Sequence, residues 1–413
     1  MEVFGSRVLF APHVTLAALG FVLAGALFGS VSGLTPGIHV NNVALLLASL
    51  APALPGPTRL VGATILAAGV AHTFLDVVPT LAFGVPDPAM SVSALPGHRL
   101  VVGGRGREAI RLSALGSGLA VLLAVPLAIP VTRLMTVAYP IVRAHLPLVL
   151  GGVIVFLLAT EPGPRAKLGG AVSVLVSGLL GLLVLPLSPN APLAVGGVLT
   201  PLFAGLFGAP VLVDAARGSG IPPQAGGRIA IDRWTVVGTA VAGTVAGAVV
   251  GYLPGVSSAI AAVLALTSLP GRTGARGFVV ATSGVNTANA IFALFALVSL
   301  GDPRTGVLVA FDRIHAPLDL PLLLGAISLA AVVGFVLVLA VGDRYLAAVA
   351  RFDYARVSAG VFAVLVVVSY LFAGWVGVGV FLVSALVGLL PVRLGVRRVH
   401  LMGVLLVPLV TGL

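Results

Sequence analysis

Four glycines and a Pro-Gly pair occur twice in this chain with the same spacing. Gly20, Gly25, Gly29, Gly33 and Pro36-Gly37 return 218 positions later as Gly238, Gly243, Gly247, Gly251 and Pro254-Gly255. The match continues with small gaps, pairing Gly84-Val85-Pro86 with Gly301-Asp302-Pro303, Leu175-Val176-Ser177 with Leu382-Val383-Ser384, and Pro201-Leu202 with Pro408-Leu409. A duplicated apolar half with Gly/Pro interruptions at corresponding places is the pattern of a membrane transporter whose site lies at the interruptions.

Composition sets the class. Of 413 residues, 59% are hydrophobic and 8% charged, and the mean hydropathy is +1.18. A water-soluble fold needs far more polar surface than that. Apolar runs such as Val14–Leu34, Leu112–Pro130, Pro147–Thr160 and Leu320–Val341 match or approach the ~20 residues with which a helix crosses a bilayer. No alternating strand pattern is present, so the chain reads as an all-α polytopic membrane protein, retained in the cell membrane from its first helix onward. With no cysteine it has no disulfide, thiolate metal site or cysteine nucleophile.

The +11 net charge is read as topology and not as nucleic-acid binding. Seven apolar segments per half are expected, beginning near residues 14, 37, 60, 108, 146, 168 and 193, and near 234, 256, 277, 320, 357, 375 and 399. The loops then divide the 23 basic residues 17 against 6, which puts the richer side in the cytoplasm. An odd number of segments makes the two repeats inverted in topology. Their charges agree, because the basic loop Arg99–Arg111 matches the near-neutral Gly301–Asp319, and the uncharged Leu187–Pro192 matches the basic Pro391–Arg398. The expected division is residues 1–215 as first repeat, 216–232 as cytoplasmic linker and 233–413 as second repeat, with short segments such as Val256–Pro270 broken or re-entrant.

The expected substrate site sits at the two breaks. In Thr35-Pro36-Gly37-Ile38-His39-Val40-Asn41-Asn42 and Leu253-Pro254-Gly255-Val256-Ser257-Ser258, proline ends one helix and glycine lets a ligand approach the backbone. The next helix offers free amides and a positive dipole end, so an anion can be held without any cationic side chain. Thr35, Gly37, His39, Asn41, Asn42, Gly255, Ser257 and Ser258 are therefore candidate substrate ligands. Kinks serving helix packing are the plain alternative. Asn286, Thr287 and Asn289 join the candidates, because Ser283-Gly284 followed by Asn-Thr in an apolar segment suggests local unwinding. Asp76 is the one acid placed within an apolar segment, and His72 lies one helical turn before it. That pair is the candidate for coupling to protons or sodium, against the plain reading of a polar tie between helices. No P-loop, His-Glu-x-x-His or supported Ser-His-Asp pattern occurs, so no enzyme, cofactor or metal site is expected.

Gly33-Leu34-Thr35-Pro36-Gly37-Ile38-His39, the stretch Ser93–Arg99 leading into Gly103–Ser117, Leu253-Pro254-Gly255, and Gly284–Phe292 resemble the large permease subunit of tripartite tricarboxylate transporters, nearest its shorter, archaeal-type branch. The resemblance implies a secondary carrier of organic anions driven by an ion gradient, with the substrate loops around Pro36 and Pro254. In bacteria such a permease works with a small membrane subunit and an extracytoplasmic binding protein. The chain departs from the bacterial pattern in being shorter and in carrying His39-Val40-Asn41-Asn42 at a mostly Gly-rich place. Pro254-Gly255-Val256-Ser257-Ser258 also looks like the Pro-Gly-Val-Ser motif of polyprenyl-phosphate translocases, so the alternative ligand is a polyprenyl phosphate. The expected partners are thus a small organic anion or that lipid, membrane lipid and a coupling ion, with homo-oligomer formation left open; a membrane scaffold is the non-transport reading.

Overall fold

The computed structural model describes residues 2–3, 6–7, 11–36, 38–83, 94–193, 196–215, 221–253, 256, 258–267 and 273–412. A two-residue antiparallel pairing of β1 (Glu2–Val3) and β2 (Ser6–Arg7) precedes an otherwise helical chain. The first half contains α1 (Pro12–Gly33), α2 (Val40–Leu50), α3 (Thr58–Leu75), α4 (Val77–Phe83), α5 (Ala94–Val102), α6 (Gly106–Ala144), α7 (Leu146–Ala159), α8 (Gly163–Val184), α9 (Leu199–Phe203) and α10 (Ala209–Ala215), the last two joined by a π turn over Ala204–Gly208. The second half contains α11 (Arg233–Tyr252), α12 (Ser258–Thr267), α13 (Gly274–Leu300), α14 (Gly306–Arg313), α15 (Leu320–Val349), α16 (Tyr354–Gly388), α17 (Leu390–Leu394) and α18 (Gly403–Thr411).

Among the described residues, eight helices are long and apolar enough to cross a membrane. All fourteen expected segments are helical, the one expected from near 193 starting at Leu199. The two expected near 357 and 375 form α16, which breaks at Ala373 and Gly374, where the glycine has φ 57°. α2, at 11 residues, and α12, at 10, are too short for a ~30 Å core. Polar residues mark the helix starts. Asp232, Asp319 and Asp353 each accept backbone N–H bonds at the start of α11, α15 and α16, which explains why these acids stand at segment edges.

One expectation fails inside α13. Ser283-Gly284 and Asn286-Thr287 do not unwind it; the helix runs unbroken from Gly274 to Leu300. Gly284 instead faces backbone, where a Cβ would lie 3.4 Å from the Gly116 carbonyl oxygen of α6 and 3.7 Å from that of Ala240 on α11. Gly284 thus serves a three-helix contact without unwinding the helix.

The duplicated glycines make duplicated contacts. A Cβ on Gly25 or Gly29 of α1 would lie 2.3 or 2.1 Å from the Thr64 or Ala68 carbonyl oxygen of α3. On Gly243 or Gly247 of α11 it would lie 2.5 or 2.9 Å from the Ala281 or Val285 carbonyl oxygen of α13. Gly33 meets Leu75 Cβ and Asp76 N at 2.9 and 3.1 Å, and Gly251 meets Phe292 Cβ and Ala293 N at 2.8 and 3.0 Å. The glycines are displaced by 218 positions and their partners by 217, so α1 on α3 is repeated by α11 on α13. Gly20 and Gly238, although part of the repeated pattern, face open space.

The chain ends pair differently. Gly403 and Val404 of α18 pack on Val174, Ser177 and Gly181 of α8, whereas Gly205 and Leu206 pack on Phe381, Ser384 and Gly388 of α16. Each half thus lends its last element to the other. The contact also corrects a register: Gly205–Pro210 corresponds to Gly403–Pro408, so the counterpart of Pro408 is Pro210 and not Pro201. Two apolar cores result. One is built mainly on α1 to α6, α11 and α13 to α15, the other on α7 to α9, α12, α16 and α18.

In the second core, Glu161 between α7 and α8 accepts from Arg397 Nε at 2.6 Å and lies 2.8 Å from His400 Nε2, while Arg397 also donates to the Leu157 carbonyl and Thr160 Oγ1. Burial pushes the Glu161 carboxyl up, but the bonds and charges of Arg397 and His400 outweigh it and hold the group below its ordinary value of 4.5. A depressed carboxylate stabilises the fold above its unfolded pKa, and that contribution is lost as pH falls through the folded one. Thermal stability should therefore fall on acidification below about pH 4.5, and Glu161→Gln should remove this part of the acid dependence while lowering stability at neutral pH. Glycine replacement should follow the contacts. Gly29→Leu and Gly247→Leu should each destabilise by roughly 1–3 kcal/mol or prevent folding, whereas Gly20→Leu and Gly238→Leu should stay within about 0.5 kcal/mol of the parent, read as melting temperature in detergent.

Candidate functional site

Both breaks open on one cavity of about 200 Å³. His39 and Asn41 at the start of α2, Val256 and Ser258 at the start of α12, and Arg304 and Thr305 ahead of α14 contribute to its wall. Two helices supply the rest of the polar lining at matched positions: Gly69 and Thr73 of α3 face it, as do Asn286 and Ala290 of α13, residues 217 positions later. Phe203, Met402 and Leu405, which belong to or pack on the second core, close the far side. The cavity therefore lies where the two cores meet.

A wider space of about 530 Å³ adjoins it, sharing His39, Asn41, Phe203, Arg304, Thr305 and Leu405. Its wall adds Arg313, Thr200 and the backbone at Gly196-Gly197. Among the described lining residues of both spaces, arginine is present and carboxylate is absent.

Each break is tied to the long helix of the other half. The Tyr345 hydroxyl of α15 donates to the Leu34 carbonyl at 3.2 Å, and Tyr252 shares a 2.7 Å hydroxyl contact with Thr132 of α6. These bonds fix the backbone just ahead of each Pro-Gly pair. At α2, however, the expected free amide is already taken: His39 Nδ1 accepts from Asn41 N at 3.0 Å, capping the helix with its own side chain. His39 and Asn41 both line the cavity.

Of the expected substrate ligands, His39, Asn41, Ser258, Asn286 and Asn289 line the cavity, with Asn289 Nδ2 donating to Ser258 Oγ at 3.3 Å. Thr35 does not; its hydroxyl turns back to the Val31 carbonyl at 2.9 Å. Thr287 is buried between Thr73 and Ser117, at 3.3 and 2.9 Å, away from the cavity wall. Gly37, Gly255 and Ser257, and the side chain of Asn42, lie outside the described residues.

The expected coupling pair is buried beside this wall. Asp76 Oδ2 accepts from Asn286 Nδ2 at 2.9 Å, and His72 Nδ1 lies 2.9 Å from Ser32 Oγ of α1. Separately, Ser113 and Ser117 of α6 bond Ser283 and Thr287 of α13, and Thr287 also meets Thr73 of α3. His72 and Asp76 thus each bond a polar side chain of another helix, and Asn286, the partner of Asp76, also lines the cavity. Asp76 ends α3, and its backbone N–H still bonds the His72 carbonyl at 2.9 Å.

Arg304 and Thr305 were not among the expected ligands. Arg304 read as one more loop charge, although it directly follows Gly301-Asp302-Pro303, which the repeat pairs with Gly84-Val85-Pro86. Arg304 thus adds to the wall a cationic side chain that the expected ligand set did not include.

No solved structure matches this chain. An uncharacterized protein of Methanocaldococcus jannaschii is 25% identical over 398 residues, covering 94% of this chain and 97% of that protein. Residues 19–403 match the profile of the tripartite tricarboxylate transporter TctA family. With nearly its whole length inside that profile and with eight helices able to span a membrane, the chain is a multi-pass membrane protein that belongs to the TctA family of tripartite tricarboxylate transporters.

Proposed function

We propose that the protein is a secondary carrier that moves a small organic carboxylate through the cavity between its two cores, driven by an ion gradient. One observation carries this reading: two breaks related by the internal repeat meet at a single polar cavity whose charged lining is arginine. An anion gains there from charge-assisted hydrogen bonds in a site that excludes most water. Family membership favours the organic anion over the polyprenyl phosphate.

The repeats are taken to be inverted, residues 1–215 against 233–413, with the segment between them on the cytoplasmic face. Three bonds support a fixed role for that linker: Gly106 N donates to Gln224 Oε1 at 2.6 Å, Ala225 N to the Gly104 carbonyl at 2.7 Å, and Ala230 N to Glu108 Oε1 at 2.7 Å. Access alternates when one core shifts against the other, because the cavity has walls from both. Coupling is assigned to Asp76, whose carboxylate meets the substrate wall through Asn286. A proton or sodium ion at Asp76 changes the charge behind that wall, and so the affinity for an anion in front of it.

Purified parent protein in vesicles should accumulate citrate, or a related di- or tricarboxylate, under a proton or sodium gradient and should not bind polyprenyl phosphate. Asp76→Asn should retain substrate exchange and lose uphill accumulation; equal accumulation by this variant would remove Asp76 from the coupling. Inversion is checked with single cysteines, since the chain has none of its own. Cysteines placed at Ser188 and Arg393, in segments matched by the repeat, should be labelled by an impermeant reagent from opposite faces, and labelling from one face would refute the inversion.

A further inference from the structure

Arg304 is a buried cation at the junction of the two cavities. Its side chain is 6% exposed and lines both spaces. Two groups hold it. Nη2 pairs with Asp302 Oδ2 at 3.0 Å and donates to the Tyr139 hydroxyl, and the guanidinium carbon stands 4.9 Å from the centre of the Tyr139 ring. Tyr139 comes from α6, so the arginine is positioned by a rigid helix and not by its own loop alone.

The two partners differ in what they cost to replace. Tyr139 is buried, whereas Asp302 is 57% exposed and keeps most of its hydration. The hydrogen bonding is also incomplete. Nε and Nη2 form the side-on fork with which arginine grips a carboxylate through two parallel bonds. Here Nη2 is engaged, while the buried Nε has no acceptor within hydrogen-bond distance. Asp302 therefore uses half of the fork. A ligand carboxylate that reached both atoms would gain a bond that Asp302 does not make, and the displaced aspartate would return to water at little cost.

We propose that Arg304 is the specificity-determining residue of the carrier, and that a substrate carboxylate displaces Asp302 from it while Tyr139 holds the guanidinium in place. Asp302 acts as the resident counter-ion that keeps the buried charge compensated when the cavity is without substrate. The assignment rests on the carrier reading, but it concerns a different group from the coupling carboxylate. Arg313, exposed on the vestibule wall, adds attraction for an approaching anion without sharing this geometry.

The test is titration calorimetry of citrate, succinate and lactate into the purified full-length protein, with elution profile and melting temperature as fold controls. Arg304→Gln should weaken binding of the preferred acid by about tenfold or more, the value of a charge-assisted bond. Arg304→Lys should recover part of this, since it keeps the charge but lacks the fork. Asp302→Asn should tighten binding by about two- to fivefold, because a competing, half-exposed ion pair is removed. A merely structural role for the pair predicts the reverse for Asp302→Asn. Where Arg304→Gln fails to fold, the Arg304→Lys and Asp302→Asn arms decide. Parent protein that binds an acid while Arg304→Gln binds it equally, or weaker binding by Asp302→Asn, overturns the Arg304 assignment alone. Parent protein that binds none of the three acids overturns the carrier reading and this assignment with it.

Discussion

The structure depends on how closely two helix backbones can approach in a medium that does not drive them together. Lipid tails are as apolar as leucine, so packing contact and hydrogen bonds must replace the hydrophobic effect between helices. Gly25, Gly29 and Gly33 bring α1 against the carbonyls of α3, and Gly243, Gly247 and Gly251 bring α11 against those of α13. The same contacts set the height at which each helix is interrupted. Gly33 and Gly251 each stand three residues before a proline, so where they touch α3 and α13 determines where each break falls along those helices. Close approach of α3, α6 and α13 then leaves room between them for small hydroxyls and amides. Buried in low dielectric, these must bond each other, as the Thr73, Thr287, Ser117 and Ser283 chain does.

The parts legible in the sequence are those written in backbone-controlling residues. Helical class, the placement of fourteen segments and the convergence of two broken helices all follow from apolar length and from Gly and Pro, whose effects are local. His39, Asn41 and Ser258 were expected because they stand next to a break, and Asn286 and Asn289 because Ser283-Gly284 suggested an unwinding that α13 does not show; all five line the cavity. Tertiary contacts decided the rest. Gly284 looked like a point of unwinding, but in a helix interior a glycine costs about 1 kcal/mol, and a carbonyl approaching from α6 makes it useful without any unwinding. The last element of each half was misaligned for a related reason: it packs on the opposite half, and a Pro-Leu dipeptide is too short to fix register when the neighbour is unknown. The self-capping of α2 by His39 depends on a ring orientation that composition does not contain.

Arg304 shows how a topology rule can hide chemistry. A basic residue beside an apolar segment reports orientation first, and that use leaves no local mark to separate it from a binding role. What separates them is burial. An arginine placed only by topology extends its head to water along the snorkelling stem, whereas Arg304 is enclosed, stacked on Tyr139 and compensated by an acid. Arg313 is exposed on the vestibule wall, where no carboxylate stands among the described lining residues.

The repeat is symmetric in its frame and unequal in its chemistry. Matched positions carry Gly69 and Asn286, His72 and Asn289, Thr73 and Ala290, Asp76 and Ala293. The glycine contacts of the two halves use matched partners, and at Gly33 and Gly251 they agree to within about 0.1 Å, so the difference lies mainly in side chains. For a carrier this division has a physical use. Two access states built from the same contacts are close in energy, and neither becomes a trap. An equal pair of states cannot by itself couple two ligands, since a ligand shifts an equilibrium only by its difference in affinity for the two. The difference must come from groups present on one side of the repeat and absent from the other. Asp76, with Ala293 as its counterpart, and Asn286, with Gly69, are such groups, and the 2.9 Å bond joining them brings the unequal members of both halves to one place beside the cavity.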